Sequence, residues 1–322
     1  MRKMSNLEYS FIVKELSSLL GKHFSKIRKM NEDTYRMKIG NIEILCQLGV
    51  RIHKTKYIEE PEPHDKFVQK LEKELVNAKL LSIEQLNNDR IISFNFDKGN
   101  LVFEMFGKGN IILLKDEKII CAYKNEKWAD REIKVGLGYS PPKKPSDEIE
   151  VSDRYIIVSL TKLPLGKEYA LEVLARLGID EKTPGNKLNT EQLSKLEKEI
   201  EKIKKSCQPC MFIQDGRPFD FSLTELSSYS THESKKFQSL SEAIDEFYYA
   251  REAPNEQLEK LKKRLEKQKE RLESLKGEEK ENRQKGDLIY ENYSKVEESI
   301  KAAKADKIKN LNKKEKSVET DL

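Results

Sequence analysis

Cysteine, long apolar stretches and an apolar N-terminal segment are scarce or missing in this chain of 322 residues. Four cysteines are too few for a disulfide scaffold, which favours a reducing compartment. The longest apolar runs, such as Phe11–Val13 and Ile111–Leu114, are far shorter than the ~20 residues of a membrane-spanning helix. Residues 1–8 also lack the apolar core of a secretory signal. We therefore expect a cytoplasmic protein with no membrane contact.

Neither sign of charge dominates the composition. The chain has 61 Lys and Arg residues against 56 Asp and Glu residues, a formal net charge of +5. Charged residues nevertheless make up 36% of the chain, above the ~25% of ordinary globular proteins. A uniformly basic nucleic-acid coat protein is excluded, so any basic surface must be local.

Motifs for metal binding and catalysis are also missing. The four histidines are scattered and form no His-Glu-x-x-His pair. Cys207 and Cys210 form a Cys-x-x-Cys pair without a second pair, so incidental loop cysteines are the alternative to a metal or redox site. Glycine-rich phosphate loops and a Gly-x-Ser-x-Gly motif are absent. We expect no catalytic residue, no metal and no cofactor, and thus a protein that is not an enzyme.

Residues 1–147 have the pattern of an α+β domain. Apolar residues at helical spacing predict helices over Leu7–Leu20 and Phe67–Lys79. The β-type runs are Arg36–Ile39, Ile42–Gln47, Ile91–Phe96, Leu101–Phe106, Asn110–Leu114 and Ile119–Tyr123. Turn residues separate the last four runs regularly, which predicts an antiparallel meander. Prolines at Pro141–Pro145 end the domain, because proline fits neither a helix interior nor a sheet ladder.

Residues 148–252 are predicted to form a small, mostly helical domain. Helical patterns cover Glu168–Leu177, Asn189–Lys205 and Leu240–Tyr249. Gly166 stands just before the first of them, where exposed backbone N–H groups and the positive end of the helix dipole suit a phosphate. An ordinary helix–helix corner is the alternative.

Residues 253–322 carry a heptad pattern. Its seam residues are Leu258, Leu261, Leu265, Gln268, Leu272, Leu275, Ile289, Tyr293, Val296 and Ile300. One helix cannot bury such a seam, so we expect a coiled-coil arm. Its partner helix would come from a missing part of the chain or from another protomer. A single solvated, charged helix is the alternative.

Asp89 and Arg90 follow an Asn-Asn turn and open a predicted strand. An arginine at a rigid strand end offers a planar fork of donors to a phosphate or a base edge. The neighbouring aspartate can accept from a base amine or a ribose 2′-OH. A turn with two solvated charges is the alternative.

Several short segments, taken together in their order and spacing, are specific enough to indicate a family. They are Ser5–Glu8, Arg51–Tyr57, Asn88–Ile92, Glu104–Leu113, Tyr139–Pro142, Gly166–Val173 and Lys285–Tyr290. They resemble the NFACT family, the RqcH/NEMF-type ribosome quality-control factors that include fibronectin-binding protein A-like proteins. The style is closest to archaeal members. The resemblance extends from the N-terminus nearly to Ile300.

The resemblance implies a fold and a set of partners. Residues 1–147 would form an α/β sandwich and 148–252 a helix-hairpin-helix domain, the pair folded like formamidopyrimidine-DNA glycosylases. Residues 253–322 would be the first helix of a coiled-coil arm. Such proteins bind a large ribosomal subunit carrying a stalled peptidyl-tRNA. They recruit aminoacyl-tRNA, here alanyl-tRNA, and the nascent chain grows at its C-terminus without mRNA.

The resemblance also implies which residues bind tRNA. The family's Asp-Arg pair falls on Asp89 and Arg90, and a family acidic residue falls on Glu8, where many members have Asp. Phosphate contacts are expected at Lys54, Lys56, Lys108, Gly166 and Lys167.

Two other functions are the alternatives. A glycosylase-like DNA-binding protein is disfavoured as an enzyme, because such glycosylases attack with an N-terminal proline and this chain has Arg2-Lys3. A fibronectin-binding surface adhesin is disfavoured by the missing signal and anchor.

Overall fold

A computed structural model describes residues 2–58, 60–62, 65–144, 146–252, 256–305, 311–312 and 317–318. The chain divides into two compact units, Met1–Glu252 and Ala253–Leu322. The boundary predicted after residue 147 lies inside the first unit and stays a prediction. Pro145, one of the prolines expected there, lies outside the described residues.

The first unit begins with a helix and a four-stranded antiparallel sheet. The elements are α1 (Asn6–Leu16), β1 (Phe24–Lys29), β2 (Thr34–Ile39), β3 (Ile42–Gln47) and β4 (Arg51–Thr55), with the strands paired in chain order. Ser5 and Glu8 cap α1 reciprocally, each side chain accepting the other's backbone N–H. The predicted helix is therefore present, although it ends earlier, in a short 3₁₀ turn over Ser17–Leu19.

Helix α2 (Lys66–Leu75) leads into a second sheet, a five-stranded antiparallel meander. Its strands are β5 (Leu80–Gln85), β6 (Ile91–Phe96), β7 (Gly99–Glu104), β8 (Asn110–Lys115) and β9 (Lys118–Ala122). The predicted meander is confirmed. One end of this sheet holds the first residues of β6 and β8 and the last residues of β5, β7 and β9. We call it the site end.

The two sheets and α1 share one apolar core. Phe24 of β1 and Phe96 of β6 pack edge to face, with ring centroids 5.8 Å apart. Helix α1 packs against both β4 and β5, which joins the two sheets. Side chains of this size contribute roughly 1.5–3 kcal/mol each when fully buried. The predicted α+β class is confirmed.

A small hairpin and a helical region complete the first unit. The elements are β10 (Glu126–Lys127), β11 (Glu132–Ile133), α3 (Ile156–Leu160), α4 (Lys167–Leu177), α5 (Thr190–Lys205), β12 (Cys210–Gln214), β13 (Arg217–Ser222), β14 (Glu233–Lys236) and α6 (Leu240–Glu252). Strands β12–β14 form an antiparallel sheet in the order β13-β12-β14. The sequence predicted a mostly helical region and missed this sheet. Gly178 ends α4 in the left-handed conformation expected of it, at φ 64°.

The second unit consists mainly of α7 (Glu256–Glu291) and α8 (Tyr293–Lys304), followed by the short strands β15 (Leu311–Asn312) and β16 (Ser317–Val318). Along α7, side chains are described from Arg264 onward, so those of Leu258 and Leu261 lie outside the described residues. Other predicted seam residues are exposed, among them Leu265, Leu272, Leu275, Ile289, Tyr293 and Ile300. A partner helix for this seam stays a prediction. None of the described helices is both long and apolar enough to cross a bilayer.

Candidate nucleic-acid interface

The Asp89–Arg90 turn lies at the site end of the five-stranded sheet. Asn87 and Asn88 precede it with φ of 55° and 52°, a left-handed conformation that asparagine tolerates better than most residues. The Asp89 carboxylate accepts the Arg90 backbone N–H at 2.7 Å. The Arg90 carbonyl accepts the Met105 N–H at 2.7 Å, which extends the β6–β7 ladder by one bond. Both residues therefore have a fixed backbone.

Two amide side chains hold this turn against the start of α1. The Asn6 side chain donates to the Asn88 carbonyl at 3.2 Å and to the Asp89 carboxylate at 3.4 Å. The Gln85 side chain donates to the carbonyls of Asn6 and Asp89, both at 2.9 Å. Neither residue's role could be inferred from the sequence, because the contacts with Asn6 join segments about 80 residues apart.

The side chains of the turn remain accessible. Arg90 Nε lies 4.0 Å from Asp89 Oδ1, at the limit of an ion pair, and the Arg90 side chain is 36% exposed. Asp89 is 19% exposed. The guanidinium is therefore held only loosely and retains donors for an external anion.

Two helix N-termini meet beside this turn. Ser5 is the N-cap of α1 and Gly166 is the N-cap of α4, and the Leu7 N–H donates to the Leu165 carbonyl at 3.4 Å. Gly166 has φ 107° and provides no side-chain cap. The first backbone N–H groups of α4 and the exposed Lys167 can therefore attract an anion, opposed by the single carboxylate of Glu168 in the same turn. Gly166 and Lys167 thus lie on the same side of the unit as Asn6.

Glu8 lies in the interior below this surface. Its carboxylate accepts from the Ser5 N–H at 2.7 Å, from Arg2 Nη2 at 2.6 Å and from the Tyr169 hydroxyl at 2.8 Å. Its side chain has no exposed surface. Glu8 is therefore too deeply buried in this conformation to contact tRNA directly, although the sequence led us to expect such a contact. Its hydrogen bonds are structural.

Arg2 extends the same buried network. Its Nε donates to Asp220 at 2.7 Å, and its guanidinium lies 4.6 Å from the Phe221 ring centroid. Burial opposes the charge of Arg2, but the carboxylates of Glu8 and Asp220 outweigh it and raise the pKa of Arg2. The network therefore ties α1 to both α4 and β13. The Ser-x-x-Glu capping box was the local sequence signal for it.

The other three predicted phosphate-binding lysines fall into two groups. Lys108 lies exposed in the β7–β8 turn at the site end, and Lys124 Nζ donates to its carbonyl at 3.2 Å. Lys54 Nζ instead donates to Ser18 at 2.9 Å, past the far end of α1 and about 18 Å from Asn6. Lys56 Nζ pairs with Glu246 at 2.5 Å. The structure thus brings Lys108 toward the Asp-Arg turn and places Lys54 and Lys56 elsewhere.

A match of the sequence to a family model establishes the family. The chain belongs to the NFACT family, because the family model described as NFACT N-terminal and middle domains matches residues 8–322. The resemblance found in the sequence is confirmed.

The chain is also similar to curated proteins. The chain is 31% identical to the archaeal Rqc2 homolog aRqcH of Methanocaldococcus jannaschii, over 93% of the chain and 52% of the relative. It is 30% identical to the ribosome quality control complex subunit NEMF of Homo sapiens, over 37% of the chain and 12% of the relative. The chain thus spans about half the length of the archaeal relative and a smaller share of the human one.

Solved structures support the fold alone. The fibrinogen binding protein from Staphylococcus aureus matches with a TM-score of 0.62 and 20% identity, over 76% of this chain and 98% of that one. The N-terminal part of the fibronectin/fibrinogen-binding protein from Streptococcus suis matches with a TM-score of 0.59 and 23% identity, over 76% and 99%.

Proposed function

We propose that this chain is part of a ribosome-associated quality-control factor. In this role it binds the large ribosomal subunit carrying a stalled peptidyl-tRNA and recruits alanyl-tRNA for mRNA-independent C-terminal tailing. The names of its relatives, an archaeal Rqc2 homolog and a ribosome quality control complex subunit, support the assignment. The ribosome performs peptide transfer, so the chain acts by binding and positioning, not as an enzyme.

The observation that carries the proposal is the rigid, accessible Asp89–Arg90 turn beside the uncapped N-terminus of α4. The helix end and Lys167 attract a phosphate without reading sequence. Arg90 adds a planar fork of donors, and Asp89 accepts from a ribose 2′-OH or a base amine. An RNA strand offers phosphates, ribose hydroxyls and base amines, so it can bind the helix end with Lys167, the Arg90 guanidinium and the Asp89 carboxylate together.

Glu8 serves this site as a positioning residue. Its hydrogen bonds to Ser5 and Tyr169 fix the start of α1 relative to α4. Asn6, the next residue along the chain from Ser5, carries that placement to the turn.

The test is to sequence the RNA that co-purifies with the full-length protein from ribosome gradients. We expect tRNA enriched in the alanine isoacceptors, and we expect the Asp89→Ala, Arg90→Ala double variant to lose most of that enrichment. Lys115→Ala is the matched control, because Lys115 is an exposed cation at the opposite end of the same sheet. Equal tRNA recovery from the double variant and the control would remove the site assignment. Absence of the protein from ribosome fractions would refute the function.

A further inference from the structure

The sole tryptophan of the chain lies at the tip of the β10–β11 hairpin. The backbone N–H of Trp128 donates to the Arg131 carbonyl at 2.8 Å and closes the hairpin turn. The Arg131 guanidinium carbon lies 4.1 Å from the Trp128 ring centroid, so it covers one face of the indole. Trp128 nevertheless remains 38% exposed. A large aromatic ring is thus backed on one face by a cation and open to solvent elsewhere.

The cation behind the ring is itself fixed. Arg131 donates to both oxygens of the buried Glu104 carboxylate, at 2.5 and 3.0 Å. The Tyr139 hydroxyl donates to the same carboxylate at 2.9 Å. Both side chains of the Arg131–Glu104 pair are at least nine-tenths buried, at 7% and 1% exposure. A bidentate pair of this kind holds the guanidinium plane, and with it the indole, in one orientation.

This assembly lies at the same end of the sheet as the Asp89–Arg90 turn. Glu104 is the direct ladder partner of Ile91, the residue after Arg90. The hairpin is attached to the same sheet end, because the Asn110 side chain donates to the Lys124 carbonyl at 2.9 Å and to the Glu126 carboxylate at 3.0 Å.

The surroundings suit a polyanion. Arg90, Lys108 and Lys124 all lie at the site end of the sheet. Three nearby carboxylates are engaged within the protein: Asp89 accepts from Arg90 and Asn6, Glu126 accepts from Asn110, and Glu104 is paired with Arg131. Two more, Asp130 and Glu132 of the hairpin, are matched in charge by the exposed Lys127 and Lys134.

We propose that Trp128 is a stacking platform for one unpaired base of the RNA whose backbone the Asp89–Arg90 turn contacts. This inference rests on the proposed function and adds a binding residue to it. A fixed aromatic ring beside backbone-binding cations is how proteins hold single-stranded nucleotides without reading their sequence. A base inside a duplex stays stacked on its neighbours, so the platform selects a single-stranded end or a loop of the tRNA.

The experiment uses the intrinsic fluorescence of the chain, which reports on Trp128 alone among tryptophans. We expect deacylated tRNA to quench this emission saturably, with the same Kd that anisotropy of labelled tRNA gives. A blunt RNA duplex of similar length should bind more weakly and leave the emission unchanged. Trp128→Ala should weaken tRNA binding about 5- to 150-fold, the equivalent of stacking one base. Trp128→Phe should restore most of the affinity, because a smaller aromatic ring still stacks.

Tyr155→Ala is the control, because Tyr155 is an exposed aromatic residue outside the five-stranded sheet, where it forms an isolated bridge with Pro184. Equal affinity of Trp128→Ala and the parent chain, with unchanged tryptophan emission on tRNA binding, would overturn the platform and leave the proposed function standing. Equal quenching by the duplex would also overturn it. Failure of every variant and of the parent chain to bind tRNA would refute the proposed function itself.

Discussion

Gly166 and Ser5, the N-caps of two helices, approach so closely that a Cβ atom on the glycine would lie 2.5 Å from the Cβ of the serine. The contact leaves no room for any other residue at position 166, and it sets the distance between α1 and α4. The candidate interface therefore depends on a hydrogen atom where every other amino acid has a carbon.

We expect Gly166→Ala to lower the free energy of unfolding by about 2–4 kcal/mol, from the backbone strain at φ 107° plus the steric clash. Urea denaturation measures this. Gly178→Ala is the control, because Gly178 has φ 64° with open space around its Cβ position and so carries only the conformational cost of about 1–2 kcal/mol. Equal losses in the two variants would show that the close approach to Ser5 has no energetic weight.

The guanidinium of Arg90 should matter more than its charge. We expect Arg90→Lys to bind tRNA nearly as weakly as Arg90→Ala, about tenfold below the parent chain, because an ammonium cannot reproduce a planar fork of donors. Fluorescence anisotropy with labelled tRNA checks this. Full affinity in Arg90→Lys would mean that Arg90 acts only as a point charge.

Glu8 should affect stability more than its place in a binding motif suggests. Glu8→Ala leaves Arg2 buried with one carboxylate fewer and removes half of the α1 capping box. We expect a loss of about 3–5 kcal/mol in the free energy of unfolding. Glu8→Gln keeps an acceptor for the Tyr169 hydroxyl and should lose less. If Glu8→Gln weakened tRNA binding severely with unchanged stability, Glu8 would be a contact residue after all.

The lysines should separate by salt dependence. Each phosphate contact contributes about 0.7–0.9 to the slope of log K against log salt concentration. We expect Lys108→Ala to reduce this slope by about that amount for tRNA. Lys56→Ala should leave it unchanged, because Lys56 pairs with Glu246. A reduced slope in Lys56→Ala would show that the RNA also contacts the surface beside β4.

His53 should make the first unit acid-sensitive. Burial, aided by the Arg51 cation and opposed by the Lys54 carbonyl, lowers the pKa of His53 from 6.5 to about 3. Below pH 6.5 the unfolded chain binds a proton that the folded chain rejects. The free energy of unfolding is therefore not reduced by His53 above pH 6.5. Below pH 6.5 it falls by about 1.4 kcal/mol per pH unit as the pH drops toward 3.

Urea denaturation at several pH values between 7 and 4 measures that slope. His53→Gln removes the titrating group and should flatten the pH dependence by about this amount. His23→Gln, the same substitution at an exposed histidine, is the control variant. Parallel pH profiles for His53→Gln and the parent would show that folding does not lower the pKa of His53.

Local periodicity accounts for the parts of the fold that the sequence predicted. Helix α4 and strands β6 to β9 have regular apolar spacing and turn residues between them, so short stretches of chain specify them. Strand β4 was missed because it buries Arg51 and His53, polar residues that break the expected alternation. The β12–β13 hairpin was missed although Asp215-Gly216, a strong turn signal, marks it with φ of 52° and 73°.

Some residues of the candidate site could likewise be predicted from the sequence, and others could not. Asp89 and Arg90 were found through their motif, and the structure adds the reason for their rigidity. Asn6 and Gln85 were not found, because their hydrogen bonds cross 79 and 83 residues of sequence. The Trp128–Arg131 pair is local, but the Glu104 carboxylate that fixes it lies 27 residues away.

The meander also provides a fixed reference for measuring the motion of the β10–β11 hairpin. The β8–β9 turn, Asp116 and Glu117, lies at the opposite end of the sheet from Arg90, about 20 Å away along a six-residue strand. Cys207 is exposed and the other three cysteines are buried, so Cys207→Ser with Glu117→Cys gives one labelling position. A dye there would accept energy from Trp128 across a rigid spacer. The transfer efficiency then reports whether the hairpin shifts when RNA arrives.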